Sequence, residues 1–254
     1  MSLNIDLASR HAVVTGGSKG IGRGLAEGLA VAGARVTVIA RNEDTIAAAV
    51  AQMGGESAGH GGVVADLTDE ASAARGIEAA VKRAGPVEIV VNNLGGTMGI
   101  RDQASGVTDW LKVWHLNAGA AITINNLVVP QMRAKGWGRL IHVTSPAADD
   151  GNASGPYVAA KAYLNAYIKT LGRELAPTGV IVSGISLGAI AAHDNVWDKR
   201  AKEAPAVVAD VLAKHQAIGR LGTPSDIVPF TVLLASDSGK FAAGCILPVH
   251  GGWK

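Results

Sequence analysis

The stretch His11-Ala12-Val13-Val14-Thr15-Gly16-Gly17-Ser18-Lys19-Gly20-Ile21-Gly22 runs from an apolar, β-branched segment into a glycine turn. Its first five residues have the composition of a strand. After the turn, Arg23 to Ala32 reads as a helix ended by Gly33, and Arg35-Val36-Thr37-Val38-Ile39-Ala40 reads as a second strand. Strand, glycine turn, helix and strand make one βαβ unit. Glycines at 16, 20 and 22 depart from the G-x-G-x-x-G spacing, but the physics is the same. Glycines let the backbone turn sharply and approach a ligand closely, while the helix start offers unpaired N–H groups to a pyrophosphate.

The same alternation fills the chain. Strands are expected at 11–15, 35–40, 62–65, 87–92, 139–145, 180–186 and 245–249, and helices near 20–32, 43–53, 69–84, 107–135, 155–176, 205–215 and 224–235. Such alternation predicts an α/β fold: a doubly wound, Rossmann-like, seven-stranded parallel sheet with helices on both faces. Near-continuous apolar runs such as Val87-Glu88-Ile89-Val90-Val91 fit burial on both sides. Ligands of such sheets bind beyond the carboxyl ends of the strands, where Asn93 and Ser145 fall.

The second strand runs into Arg41. An acidic residue at that point suits a ribose 2′-hydroxyl, and an arginine suits a 2′-phosphate. Lys19, inside the glycine turn, is a second cation. Together they select NADP(H), with NAD(H) as the second choice.

The 254 residues contain no Pro/Ser linker and no charge block, so residues 1–254 are read as one domain. A net charge of +2, with no basic stripe carrying interleaved aromatics, speaks against nucleic-acid binding. The single cysteine, Cys245, rules out an internal disulfide and fits a reducing compartment. Beside the last strand it is expected to be buried. Met1-Ser2-Leu3-Asn4-Ile5-Asp6 lacks the basic start and apolar core of a signal peptide. Charges and amides interrupt every long apolar stretch, so no membrane span is expected and the cytoplasm is the expected location. The seven histidines show no H-x-x-x-H spacing, so no metal site is expected. Asp149-Asp150 reads as a solvated turn rather than a carboxylate pair.

Tyr157 and Lys161 lie four apart in Ser154-Gly155-Pro156-Tyr157-Val158-Ala159-Ala160-Lys161, and Ser145 lies twelve residues before the tyrosine. Positions i and i+4 share a helix face, which holds an ammonium beside a phenol. A phenol with a pKa near 10 needs about 4 kcal/mol of differential stabilisation to titrate near 7. A nearby positive charge acts in that direction. The serine hydroxyl can bond the same substrate oxygen. The trio reads as a proton-transfer site on an alcohol or ketone. Pro156 is well placed for the first turn of its helix.

These residues together resemble the short-chain dehydrogenase/reductase family over essentially the whole chain. Thr15-Gly16-x-x-x-Gly20-x-Gly22 matches its cofactor motif, Asp66-Leu67 its adenine-contacting pair, and Asn92-Asn93-Leu94-Gly95 a motif usually written Asn-Asn-Ala-Gly. Arg220-Leu221-Gly222-Thr223-Pro224 and Val249-His250-Gly251-Gly252 match C-terminal signatures. The resemblance implies four catalytic residues, Asn117, Ser145, Tyr157 and Lys161. It implies cofactor contacts from Gly16, Ser18, Lys19, Gly20, Ile21, Gly22, Arg41, Asp66, Leu67, Asn93, Gly95, Tyr157, Lys161 and Ile190. It implies a substrate lid at about 188–218 and a pocket bordered by Gly96, Ala147, Leu187, His193 and Trp197.

There are departures from the pattern. Leu94 stands where alanine is usual, Leu187-Gly188 replaces Pro-Gly, Ala192 replaces a common threonine, and His250 replaces an aspartate. The Ser145–Tyr157 spacing is one shorter than usual, which admits Thr144 as the hydroxyl, although Ser145 aligns better with the strand end. The implied activity is NADP(H)-dependent interconversion of a ketone and a secondary alcohol. One alternative is a 3-oxoacyl-thioester reductase, whose acidic carrier needs a basic entrance, for which Lys135-Gly136-Trp137-Gly138 is thin. Another is a non-catalytic NADP-binding regulator. The partners expected are a small ketone or alcohol and further copies of the chain, as a homotetramer or homodimer. The small residues Ala118, Gly119, Ala120, Ala159, Ala160 and Ala162 are expected at the helix pairing.

Overall fold

The computed structural model describes residues 5–254; the first four residues of the segment read for a leader lie outside them. The chain opens with β1 (His11–Thr15), α1 (Gly20–Val31), β2 (Arg35–Ala40), α2 (Glu43–Gln52), β3 (Gly61–Val64), α3 (Glu70–Ala84) and β4 (Ile89–Asn92). It continues with α4 (Val107–Trp114), α5 (Ala120–Lys135), β5 (Gly138–Thr144), α6 (Ala147–Asp150), α7 (Gly155–Leu175) and β6 (Val180–Leu187). It ends with α8 (Val196–Glu203), α9 (Pro205–His215), α10 (Pro224–Ala235) and β7 (Ile246–Val249).

The strands form one sheet in the order β3-β2-β1-β4-β5-β6-β7, and every pairing is parallel. Alternate strand residues point to opposite faces. Ala12, Val14, Val36 and Val38 accordingly join the core under α1, α2 and α10, while Val13 and Ile39 join the core under α3, α5 and α7. The order reverses between β1 and β4, which opens a crevice at the carboxyl ends of those strands.

Three local readings change. The helix expected over 107–135 is broken by a π turn at His115–Gly119. Such turns often mark functional sites. Gly119 suits it, because a Cβ there would sit 3.0 Å from His115 Nδ1 and 3.1 Å from the Trp114 ring. Asp149 and Asp150 lie in a one-turn helix, α6, rather than a bare turn. Residues 196–203 form a helix that the sequence reading left irregular.

One burial expectation is overturned and another divides. Cys245 is exposed, because it precedes β7 at the sheet edge. Ala118, Gly119, Ala120 and Ala160 are buried in the chain's own core, while Ala159 and Ala162 are exposed. The amino end of the sheet is closed by charge. Glu88 accepts from Arg10 at 2.6 Å and from Lys135 at 2.5 Å, and the Trp137 ring lies between Arg10 and Arg139. Lys135 and Trp137 are therefore committed at the end of the sheet opposite Ser145.

Candidate active site

The site is built from strand ends. Gly16 and Gly20 adopt φ of +63° and +57°, a region that favours glycine. A Cβ on Gly22 would collide with the Gly16 carbonyl and the Asn93 amide. Asn93 fixes this turn from β4: its Nδ2 donates to Thr15 O at 3.1 Å and its N–H donates to Thr15 Oγ1 at 3.0 Å. Asn93 thus positions the turn through its side chain.

Beside the turn lies a cleft of about 280 Å³. Gly16, Ser18, Lys19, Arg41, Asp66 and Leu67 line it, together with Leu94 and Leu116. Lys19 and Arg41 are exposed and make no ion pair among the described residues. Ser18 Oγ accepts from Thr45 Oγ1 at 3.1 Å. Asp66 accepts from Thr68 Oγ1 at 2.7 Å and Thr68 N at 2.9 Å, and these bonds hold its carboxyl below the usual carboxylate range. A fixed carboxylate and the exposed cations Lys19 and Arg41 suit an adenosine carrying phosphate.

Ser145 follows β5 directly, and its Oγ accepts from Ala147 N at 3.2 Å. It faces the Tyr157 phenol closely enough to favour the ionised form. Thr144 is buried and donates to Asn165 Oδ1 at 2.5 Å, so Ser145 is the hydroxyl that meets the tyrosine. Lys161 Nζ lies 5.8 Å from the Tyr157 ring centroid and donates to Val143 O at 2.8 Å. Burial lowers the lysine to about 8.

Burial raises the Tyr157 phenol above 10, and Ser145 offsets only part of that. In the chain alone, desolvation is the largest influence on this phenol.

Asn117 stands in the π turn. Its Nδ2 donates to Gly96 O and Val113 O, both at 2.8 Å, and its Oδ1 accepts from Gly96 N at 3.0 Å. A Cβ on Gly95 would sit 2.7 Å from Asn117 Oδ1 and 3.0 Å from Lys161 Nζ. The backbone of Gly95 therefore packs between these two side chains. Ser145, Tyr157, Lys161 and Asn117 form one continuous run of contacts.

The expected pocket residues divide. Gly96 is held by Asn117, and Ala147 is buried beside Ser145. Leu187 is packed in the core under α10, so it is no open wall. His193 lies against α1, with its Nε2 3.5 Å from Glu27 Oε2. Trp197 stands on α8 with Arg200 over its ring at 5.0 Å. The carbonyl of Ile190 accepts from Asn195 Nδ2 at 2.7 Å.

Three residues hold the segment 188–218 in ways that the sequence reading did not assign. Asn195 caps α8, and an Asn before a helix is a legible signal. Gln216 is buried and binds both backbone groups of Ala189. Trp253 stacks on His215 at 5.4 Å and donates to Asp150 Oδ2 at 2.6 Å. Neither Gln216 nor Trp253 carries a local signal, because each partner is far away in sequence. Among the described residues no group of three or more His, Cys, Asp or Glu side chains could hold a metal, and no helix is long and apolar enough to cross a membrane.

The sequence model of the short chain dehydrogenases matches residues 10–204, and the chain belongs to that family of oxidoreductases. It is 33% identical to the 3-oxoacyl-(acyl-carrier-protein) reductase FabG of Escherichia coli strain K12, over 98% of each chain. It superposes with TM-score 0.89 and 29% identity on a 7 alpha-hydroxysteroid dehydrogenase complexed with NADH and 7-oxo glycochenodeoxycholic acid, covering 100% of this chain and 97% of that one. The RhlG/NADP complex of Pseudomonas aeruginosa matches with TM-score 0.88 and 30% identity over 99% of both chains.

Proposed function

We propose that this oxidoreductase uses NADP(H) to interconvert a ketone and a secondary alcohol, with Tyr157 as general acid and base. The observation that carries the reading is the contact run Ser145–Tyr157–Lys161–Gly95–Asn117 beside a glycine-lined turn at the carboxyl end of the sheet.

The residues present fit the cofactor. Gly16 and Gly22 leave a cradle that a Cβ on Gly22 would fill, and Ile21 lies in the first turn of α1, where N–H groups lack helical partners. Lys19 and Arg41 would hold a 2′-phosphate, Asp66 and Leu67 the adenine, and Lys161 the ribose nearest the reaction. When bound, the nicotinamide supplies or accepts the hydride. Relatives complexed with NADP and with NADH support a nicotinamide cofactor. The exposed cations Lys19 and Arg41 are what favour the phosphorylated form.

Ser145 Oγ orients the substrate oxygen. In reduction, Tyr157 Oη gives its proton to that oxygen as the carbonyl carbon becomes the carbinol carbon. In oxidation the phenolate takes it back. A lysine near 8 sits within reach of neutral pH in either protonation state. It can pass a proton towards the phenolate, and its charge steadies the phenolate once formed. The Asn117 amide is already spent on Gly96 and Val113. Any water it holds on the way from Lys161 to solvent would be held by its main chain.

Mixing the protein with NADPH or NADH and a panel of ketones, sterols and 3-oxoacyl thioesters tests the reading. Loss of nicotinamide absorbance with a simple ketone supports it. Turnover confined to thioesters favours the acyl reductase, the reading that the 33% identical relative supports. Tight binding with no turnover favours a regulator.

A further inference from the structure

The segment leaving β6 is held in a fixed shape. Asn195 Oδ1 accepts from Ala192 N at 3.3 Å, Trp197 N at 3.1 Å and Asp198 N at 2.9 Å, while its Nδ2 donates to Ile190 O at 2.7 Å. The base of the segment is also fixed. Gln216 accepts from Ala189 N at 2.8 Å and donates to Ala189 O at 3.3 Å, which joins its two ends.

Between these anchors, the strap 192–195 rests on the start of α1. The His193 carbonyl accepts from Gly20 N at 3.2 Å. A Cβ on Gly20 would meet Asn195 Cβ at 3.4 Å, so the strap lies in van der Waals contact with the turn. Further along α1, Glu27 Oε2 lies 3.5 Å from His193 Nε2, while its other oxygen holds Arg23 at 2.8 Å. His193 and Asp194 have φ of +34° and +62°. Non-glycine residues seldom adopt such values, and they persist where outside contacts enforce them. The strap is thus a strained segment held down on the turn that a pyrophosphate would use.

We infer that this strap is a gate on the cofactor site, latched by the His193–Glu27 contact. The inference rests on the proposed nicotinamide cofactor. With the strap down, one first-turn N–H is occupied by the chain's own carbonyl and the turn is covered. The strap lifts before a pyrophosphate settles there, and the latch sets how often it lifts. The fixed base at Ala189 and Gln216 confines the movement to the strap. Glu27 and His193 are positioning residues in this scheme and need not touch the cofactor.

Stopped-flow mixing with NADPH, and separately with NADH, followed by nucleotide fluorescence, tests the gate without any substrate. The wild-type observed rate should level off as nucleotide rises, because opening precedes binding. His193→Ala and Glu27→Gln should each raise that plateau by about twofold to fivefold, the scale of a lost half-exposed contact. The two variants remove the same contact from opposite sides, so release of the gate should speed binding in each. Arg23→Gln breaks only the neighbouring pair and should leave the plateau where it was. Matching melting curves would show that the variants are folded. A rate that stays linear in nucleotide with the same slope in all four proteins overturns the gate, as does slower binding by His193→Ala. A wild-type chain that binds neither nucleotide overturns the cofactor reading and the gate with it.

Discussion

At the residue scale, the half-buried Tyr157 and the buried Lys161 are pushed in opposite directions by the same cause. Burial raises the phenol and lowers the ammonium, and both shifts favour the neutral form. For Lys161 this has a consequence for stability. The unfolded lysine holds its proton up to about 10.5 and the folded one only to about 8. Between those values the unfolded chain binds more protons, so the lysine's contribution to stability rises with pH across that window. Below pH 8 the cost of the buried charge is constant, at about 3 kcal/mol. Urea unfolding of wild type and Lys161→Met should therefore show the variant's advantage shrinking from pH 8 to 10.5. A constant difference would mean that the lysine is not desolvated.

Tyr157→Phe removes only the hydroxyl. Nucleotide binding should survive while kcat/KM falls by several orders of magnitude. A loss under about 1.4 kcal/mol, or tenfold, would require another proton donor. Arg41→Asp should weaken NADPH about tenfold to a hundredfold more than NADH, the range of a charge-assisted contact. Titration of both nucleotides against both proteins measures it, and equal native affinity for the two would remove the NADP assignment. These residue types were readable because their chemistry follows from spacing on a helix or from position at a strand end. Leu187 and His193 were misread because strand-end position does not say which way a side chain turns. One went into the core and the other onto α1.

At the element scale, the strands were legible because β-branched runs mark them and the glycine turn fixes where the first one stops. Their observed bounds differ from the expected ones by at most two residues, as with β4 beginning at Ile89 rather than Val87. The π turn was hidden. The residues from 107 to 135 carry helix-like periodicity on both sides of it, and only the packing of Trp114, His115 and Gly119 reveals the slip. The segment 188–218 was legible as an irregular stretch, but its fastening was not. Trp253 meets Asp150 across 103 residues, and Gln216 meets Ala189 across 27. The base of this segment gives an element-scale prediction. Gln216 is buried, and its Nε2 also donates to Arg220 O at 2.6 Å. Gln216→Leu keeps the bulk and strands the Ala189 N–H, which should cost about 1–3 kcal/mol. Urea denaturation measures the loss. Unchanged stability would show that this base is held by packing alone.

At the scale of the whole molecule, the surface carries two apolar areas that one copy leaves uncovered. Val107 and Leu111 on α4, Leu127 on α5 and Tyr163 on α7 are exposed, and Tyr163 packs edge-on against Trp114 at 5.5 Å. At the other side, Phe230 on α10 and Phe241 before β7 are exposed, the latter fully. Large side chains join the exposed Ala159 and Ala162 on the uncovered helix faces. Two separate self-complementary patches generate a tetramer through two-fold axes, whereas one generates a dimer. We propose the tetramer, with α4, α5 and α7 at one interface and the β7 edge at the other. Light scattering at micromolar concentration should give four times the chain mass. Leu111→Glu with Tyr163→Glu should reduce it to a dimer, because two carboxylates in a closing apolar interface would be buried without partners. Phe241→Glu should produce a different dimer through the remaining face. A stable wild-type monomer would overturn the assembly and leave those aromatic and aliphatic side chains in water without a compensating partner.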